Sequence, residues 1–129
     1  MDRSAGAGVR GMEPKLKVWV ESGGALVLSD YRVRLLELVD ETGSLADAAS
    51  RMGLSYRRAW GKLKEIEANL GLNLVESTAG GPGGGHTRLT AAGRDMVERY
   101  ERFRSRLSAA AEAEFTSCFG AAPSVAAER

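Results

Sequence analysis

Cysteine, histidine and proline are scarce in this sequence of 129 residues, and long apolar runs are missing. It contains one cysteine, one histidine and three prolines. A single cysteine forms no internal disulfide and offers a metal no second thiolate, so we expect neither a disulfide-stapled fold nor a zinc finger, and no cofactor. No apolar run approaches the roughly 20 residues that cross a bilayer, and residues 1–12 lack a signal-peptide core. We therefore expect a cytoplasmic protein without a membrane partner.

What is present is the mixture of apolar and charged residues that is typical of one globular domain. Hydrophobic residues make up 43% of the chain and charged residues 27%, which excludes wholesale disorder. The net charge of +1 does not point to a polyanionic partner. Its distribution does, because residues 48–64 carry five basic side chains and no acid, whereas residues 30–47 carry five acids. A concentrated basic segment is typical of a nucleic-acid-binding face.

The first half of the chain is predicted to form a β-hairpin followed by three helices. Alternating polar and apolar residues indicate a strand over residues 15–21, with which the apolar run at residues 25–28 could pair. Serine caps, apolar residues at helical spacing and closing glycines then predict three helices. Their limits are residues 29–43, 44–53 and 55–71.

The second half is predicted to form a second hairpin and a long helix. We expect strands at residues 72–76 and 87–89, and between them a long, mobile tip, because residues 78–86 are too rich in glycine for a regular element. The last helix runs from Ala91 to about Phe115, and its apolar face requires a partner. These elements divide the chain into a disordered leader (1–14), one domain (15–115) and a flexible tail (116–129).

The second and third helices, joined by a short turn at Gly53, have the pattern of a helix-turn-helix. In that motif the second helix of the pair enters the major groove of DNA by its N-terminal end. The hairpin that follows makes the motif winged. The predicted fold class is therefore mainly α with a small β part: a winged helix-turn-helix with an N-terminal β-hairpin and a long C-terminal dimerisation helix.

Short polar and basic side chains stand where such a helix would meet DNA. The arginines are suited to bidentate guanine contacts, the lysines to phosphates, and the aromatic residues to stacking or thymine-methyl contacts. The predicted DNA-binding residues are Ser44, Ser55, Tyr56, Arg57, Arg58, Trp60, Lys62, Lys64, His86 and Arg88. The sequence does not decide which arginine contacts a base. Trp60 lies one position off the apolar stripe, so packing beneath the wing is an equal alternative for it.

The glycine-rich segment suggests a competing function, since residues 80–87 nearly match the phosphate-binding pattern G-x-x-x-x-G-K-[ST]. His86 stands where the lysine is required, and a strand rather than a helix is expected after the loop. Nucleotide hydrolysis is therefore disfavoured. No set of serine, histidine and aspartate indicates nucleophilic catalysis either, so we expect no enzyme.

Several short motifs resemble the N-terminal DNA-binding domain of ModE-type molybdate-responsive transcription regulators. They are Ser-Leu-Ala-Asp-Ala-Ala from Ser44, Gly-Leu-Ser-Tyr from Gly53, Ala59-Trp60, Leu-Val-Glu from Leu74, the glycines at residues 80–85, and Leu-Thr-x-x-Gly from Leu89. The resemblance covers about residues 15–110; the helix-turn-helix alone is shared with LysR-type regulators. It implies a dimeric winged helix in which residues 55–58 approach the major groove, while the wing at residues 80–88 reaches the adjacent backbone or minor groove.

The sequence leads to the hypothesis of a homodimeric transcription regulator that binds a palindromic operator in double-stranded DNA. Regulators that it resembles carry C-terminal molybdate-binding domains, and no such domain follows the last helix before Arg129. We therefore expect any molybdate control to act through a separate molybdate-binding partner protein or a degenerate site. The alternative is a winged-helix module for protein interaction or oxyanion sensing that binds no DNA.

Overall fold

A computed structural model describes residues 11–81 and 84–121 of the chain. The described residues fall into two compact units, one formed by residues 18–101 and the other by residues 11–17 and 102–121. In the first unit a hairpin, three helices, a second hairpin and the start of a fourth helix follow each other along the chain. The predicted fold class, mainly α with a small β part and a winged helix-turn-helix, is confirmed.

The N-terminal hairpin pairs β1 (Trp19–Ser22) with β2 (Ala25–Ser29) in antiparallel register, Trp19 opposite Ser29. The predicted hairpin is thus present, but its first strand begins four residues later than predicted, at Trp19 instead of Lys15. The reason is that β2 ends at Ser29, where the next helix starts, so residues 15–18 have no strand to pair with. Arg32 Nη1 and Asn69 Nδ2 both donate to the carbonyl of Leu26, at 3.3 and 2.9 Å, and tie the hairpin to the helices.

Three helices form the helix-turn-helix and its support: α1 (Asp30–Thr42), α2 (Leu45–Arg51) and α3 (Tyr56–Leu70). The first and third follow the predicted limits, whereas α2 ends at Arg51, two residues before the Gly53 that was predicted to close it. Each begins at a serine whose hydroxyl accepts an N–H of the first turn. The first and third end at Gly43 and Gly71, whose φ angles of 71° and 70° are left-handed and suit glycine.

The wing pairs β3 (Val75–Gly81) with β4 (Gly84–Leu89), from Val75 opposite Leu89 to Gly81 opposite Gly84. The prediction of a long irregular tip over residues 78–86 was wrong, because strand pairing continues into the glycines. Cross-strand hydrogen bonding overrides the low strand propensity of glycine there. The predicted start at Leu72 was also too early. Residues 82 and 83 lie outside the described residues.

The last helix, α4, runs from Ala91 to Phe119. It is four residues longer than predicted, because no glycine or proline interrupts the chain between Phe115 and Gly120 and the rings of Phe115 and Phe119, one turn apart, stack with their centres 5.1 Å apart. The first part of the predicted tail is therefore helical. Residues 122–129 and residues 1–10, which include most of the predicted leader, lie outside the described residues. No helix within residues 11–81 and 84–121 is long and apolar enough to span a membrane.

The main core lies between α1, α2, α3 and the base of the wing. Leu35 and Leu36 of α1, together with Ile66 of α3, are fully buried at its centre. A smaller cluster joins β2 and α1 to α4, where the Tyr100 hydroxyl donates to Asp30 Oδ1 at 2.5 Å. This packing holds α3 by its apolar side and leaves its other side facing solvent.

Candidate DNA-binding surface

The N-terminal end of α3 is an exposed, capped helix terminus. The Ser55 hydroxyl accepts the backbone N–H of Arg58 at 3.1 Å, and the first turn of the helix contains no acidic residue. The free N–H groups and the positive end of the helix dipole are therefore available to an anion. Ser44 has the same role at the start of α2, where its hydroxyl accepts the N–H of Asp47 at 3.0 Å.

Three side chains project into solvent from this first turn of α3. Tyr56 is 57% exposed, and Arg57 and Arg58 are exposed as well. Neither arginine forms an ion pair or a side-chain hydrogen bond with any residue in the described part of the chain. Two guanidinium groups without acidic partners, beside a helix N-terminus, have the chemistry that phosphate groups and the acceptor edges of bases require.

The two predicted phosphate-binding lysines lie on different sides of α3. Lys62 Nζ lies 5.3 Å from the ring centre of Tyr31, at the start of α1. Lys64 Nζ lies 5.3 Å from the ring centre of Trp60 and 3.1 Å from Glu67 Oε1, on the side of the wing. The structure therefore does not bring the two lysines together, and Lys64 already has an internal acidic partner.

Trp60 borders a surface cavity of about 210 Å³ between α3 and the wing. Its indole remains 48% exposed. Leu45 and Tyr56 line the cavity from the helices, and Ser77 and Thr87 line it from the wing. Trp60 thus lies beside the wing and faces solvent at the same time, a position that suits packing against the wing and contact with DNA equally.

His86 and Arg88 lie on the opposite face of the wing from this cavity. Arg88 Nε donates to Glu76 Oε2 of the neighbouring strand at 2.9 Å. Both residues border a second cavity of about 490 Å³, together with Asp40 and Glu41 of α1. The structure does not bring these two predicted residues to the N-terminal end of α3.

Sequence reasoning missed the wing residues on the α3 side, Ser77 and Thr87. Their hydroxyl oxygens lie 3.1 Å apart across the two strands. The signal that could have identified them is strand alternation, because in residues 75–78 of β3 and 86–89 of β4 the odd positions share one face and the even positions the other. Applying that alternation requires the limits of both strands, and the strands were predicted to end before the glycine-rich residues that they include.

Glu67 connects α3 to the wing through its buried carboxylate. Its Oε2 accepts the backbone N–H of Leu74 at 2.8 Å and that of Val75 at 3.2 Å. Burial alone would raise the pKa of Glu67, but the Leu74 amide, the Lys64 ammonium and the Val75 amide together lower this pKa below its ordinary value. The carboxylate therefore stays charged and fixes the base of the wing against α3.

The geometry is that of a helix-turn-helix, and comparison of the sequence with protein families agrees. Residues 31–94 match the family described as "Bacterial regulatory helix-turn-helix protein, lysR family". These residues form a LysR-type helix-turn-helix domain. The matched part of the LysR-type domain extends from α1 into the first turn of α4, so the N-terminal hairpin lies outside it.

Relatives of the LysR-type domain include two proteins that are named for molybdenum and one that is named as a DNA-binding regulator. The chain is 33% identical over 91 residues to the molybdenum-pterin-binding protein MopA of Rhodobacter capsulatus, which covers 70% of this chain and 34% of MopA. It is 42% identical over 73 residues to the molybdenum transport protein ModE of Azotobacter vinelandii, covering 57% of this chain and 27% of that protein. The DNA-binding transcriptional dual regulator ModE of Escherichia coli K12 is 34% identical over 90 residues, covering 70% and 34%. The chain thus spans about a third of the length of these relatives.

Solved structures with the same fold include two complexes with DNA. The CbnR_DBD–DNA complex superposes with a TM-score of 0.53 at 25% identity, covering 68% of this chain and 95% of that one. Full-length CbnR complexed with its target DNA superposes with a TM-score of 0.51 at 26% identity, covering 67% of this chain and 28% of that one. The LysR-type domain therefore shares its fold with a domain whose crystal structure was determined in complex with DNA.

Proposed function

We propose that this protein is a transcription regulator, not an enzyme, that binds a palindromic operator in double-stranded DNA as a homodimer in the cytoplasm. The observation that carries the proposal is the N-terminal end of α3, where Arg57 and Arg58 are exposed and have no acidic partner among the described residues. A purely structural helix gains nothing from leaving two adjacent guanidinium groups unpaired beside its own positive end.

The contacts divide by position on the LysR-type domain. Arg57 and Arg58 reach base edges in the major groove, with Ser55 and Tyr56 beside them. Lys62 and Lys64 bind phosphates on the two sides of α3. To do so, the Lys64 ammonium leaves its ion pair with Glu67 and pairs with a phosphate instead. His86 and Arg88 are retained as wing contacts, and Ser77 and Thr87 are added because they line the side of the wing that faces α3.

A link to molybdate rests on the relatives that are named for molybdenum transport and molybdenum-pterin binding. The chain matches about a third of the length of these proteins, and we propose the link to molybdenum for the genes that the DNA-binding domain regulates. A separate molybdate-binding protein is the partner that would supply the sensing.

The test is fluorescence anisotropy of the purified protein on a palindromic duplex of the molybdenum-regulon type and on a scrambled duplex, at two salt concentrations. We expect tighter binding to the palindrome than to the scrambled duplex. On both duplexes the logarithm of the binding constant should fall with the logarithm of the salt concentration, with a slope of about −0.9 for each phosphate contacted. Salt-insensitive or absent binding to both would favour the protein-interaction alternative and overturn the proposal.

Single arginine variants assign the base contact. If Arg58 contacts a guanine, Arg58→Ala should cost about 1–3 kcal/mol on the palindrome and much less on the scrambled duplex. Arg57→Ala is the matched comparison, since it removes the same charge from the adjacent position. Equal losses on both duplexes would assign that arginine to a phosphate.

A further inference from the structure

The described helices contain two interior glycines, Gly61 in α3 and Gly93 in α4. Glycine in a helix interior lowers helix stability relative to alanine, so each one calls for a physical reason. For Gly93 the reason is packing, because a Cβ atom there would overlap the carbonyl oxygen of Leu74 at the base of the wing. Alanine does not fit at that position.

Gly61 has no such reason within the described chain. Its φ angle is not among the positive values, so its backbone suits any residue. Apart from its chain neighbours and the backbone of its own helix, no atom of the described residues would lie within 4 Å of a Cβ atom built on it. Neither conformation nor internal packing requires a glycine here, and alanine would make a more stable helix.

The position of Gly61 is the centre of the exposed side of α3. Ala59, Leu63 and Ile66 are buried and define the inner side of the helix. At 3.6 residues per turn, Gly61 lies opposite them, about one turn beyond Arg57. The nearest acid along that side, Glu65, is held by Arg32 Nη2 at 3.2 Å. The outer side of α3 therefore combines unpaired arginines with a stretch of bare backbone.

We propose that Gly61 is the point of closest approach between the recognition helix α3 and the floor of the DNA major groove. A side chain at this point would hold the helix away from the bases and shorten the reach of Arg57 and Arg58. Glycine without a side chain lets a helix backbone come within van der Waals distance of a ligand. Gly61 is thus a positioning residue that determines operator affinity through the arginines. The inference rests on the proposed function.

The test exploits the opposite signs expected for folding and binding. Gly61→Ala should raise the melting temperature by about 4 °C, since it improves helix propensity in open space. The same change should weaken binding to the palindromic duplex by about tenfold, because it overpacks a close contact. Gly61→Gln should weaken binding further. Ala109→Gln, at an exposed position of α4, is the matched control and should leave operator affinity unchanged.

Each outcome decides the proposal. A stabilised Gly61→Ala variant with reduced operator affinity supports it, and a larger loss for Gly61→Gln than for Gly61→Ala supports the steric cause. Unchanged operator affinity in Gly61→Ala overturns it while leaving the proposed function intact. A destabilised Gly61→Ala variant overturns the premise that the position is open. Absence of DNA binding by the unmodified protein overturns the proposed function itself, and this inference with it.

Discussion

The carboxylate of Glu67 shows how a single buried charge places the wing. It accepts the backbone N–H of Leu74, in the connection after α3, and that of Val75, the first residue of β3. Glu67→Ala leaves the buried Leu74 amide unsatisfied, so we expect a loss of about 3 kcal/mol in the free energy of unfolding, measured by urea denaturation. Glu67→Gln keeps an acceptor oxygen and is the control, with an expected loss of about 1 kcal/mol. Equal losses for the two variants would contradict the role of the acceptor.

The pH dependence of stability follows from the same carboxylate. The pKa of Glu67 is lowered in the folded protein from its ordinary value of 4.5. The charged form therefore stabilises the fold above that value, and this stability is lost as the pH falls through the folded pKa. Melting temperatures compared between about pH 7 and pH 3 should fall more for the unmodified protein than for Glu67→Gln. Identical falls would show that Glu67 does not titrate in this range.

At the residue scale, the sequence predicted what depends on neighbours in the chain. Ser29, Ser44 and Ser55 were identified as helix caps because the cap, the first turn and the apolar spacing all lie within a few residues. The role of Glu67 was not predicted, because an acid in an amphipathic helix is ordinarily solvent-exposed, and its partners at residues 74 and 75 lie beyond the end of α3. The side of the wing on which His86 and Arg88 lie was missed for a similar reason, since it depends on strand register.

At the element scale, the helices of the motif were predicted almost to the residue, whereas the wing was not. Helix limits are encoded by caps, periodicity and the closing Gly43 and Gly71, all of which are local signals. The length of the wing depends on which residues face each other across β3 and β4, and glycine-rich sequence carries little information about that. The first hairpin shows the same dependence, because the start of β1 at Trp19 is fixed by the end of its antiparallel partner β2 at Ser29.

Ser55 caps α3 and also lies where we propose that the helix meets DNA. Two substitutions at Ser55 separate these roles. Ser55→Ala removes the acceptor for the Arg58 amide and should cost about 1 kcal/mol of unfolding free energy. Ser55→Asp keeps the cap, so its stability should match the unmodified protein, yet it places a negative charge where phosphate is expected. We therefore expect Ser55→Asp to lose most DNA affinity without loss of stability, measured by anisotropy and thermal melting.

The comparison at α2 controls this experiment. Ser44→Asp replaces the same kind of cap, at a helix whose first turn already contains Asp47. Its effect on DNA affinity should be smaller than that of Ser55→Asp if α3 is the element that enters the groove. A larger effect at Ser44 would place α2 nearer to the DNA and contradict the proposed arrangement.

At the scale of the whole molecule, affinity for a palindrome requires two copies of α3 at a defined spacing. Two-fold symmetry predicts half-sites one helical turn apart, about 34 Å, or a multiple of it. We propose that the region of α4 after Glu101 supplies the surface for pairing, because Leu107, Ala110 and Ala111 are apolar and lie on one side of the helix. An apolar stripe of this kind on a long helix is buried most effectively against a second copy of itself.

Substitution in that stripe should therefore separate dimerisation from DNA contact. We expect Leu107→Glu to sediment as a monomer at concentrations where the unmodified protein is a dimer, since two like charges would face each other across the pair. The monomer should lose affinity for the palindrome but bind a single half-site as the unmodified protein does, because the α3 surface is unchanged. Ala109→Glu introduces the same charge on the opposite side of α4 and should remain dimeric. Palindrome affinity retained in a monomeric Leu107→Glu variant would instead show that each LysR-type domain binds its half-site independently, and the symmetry argument for operator spacing would no longer hold.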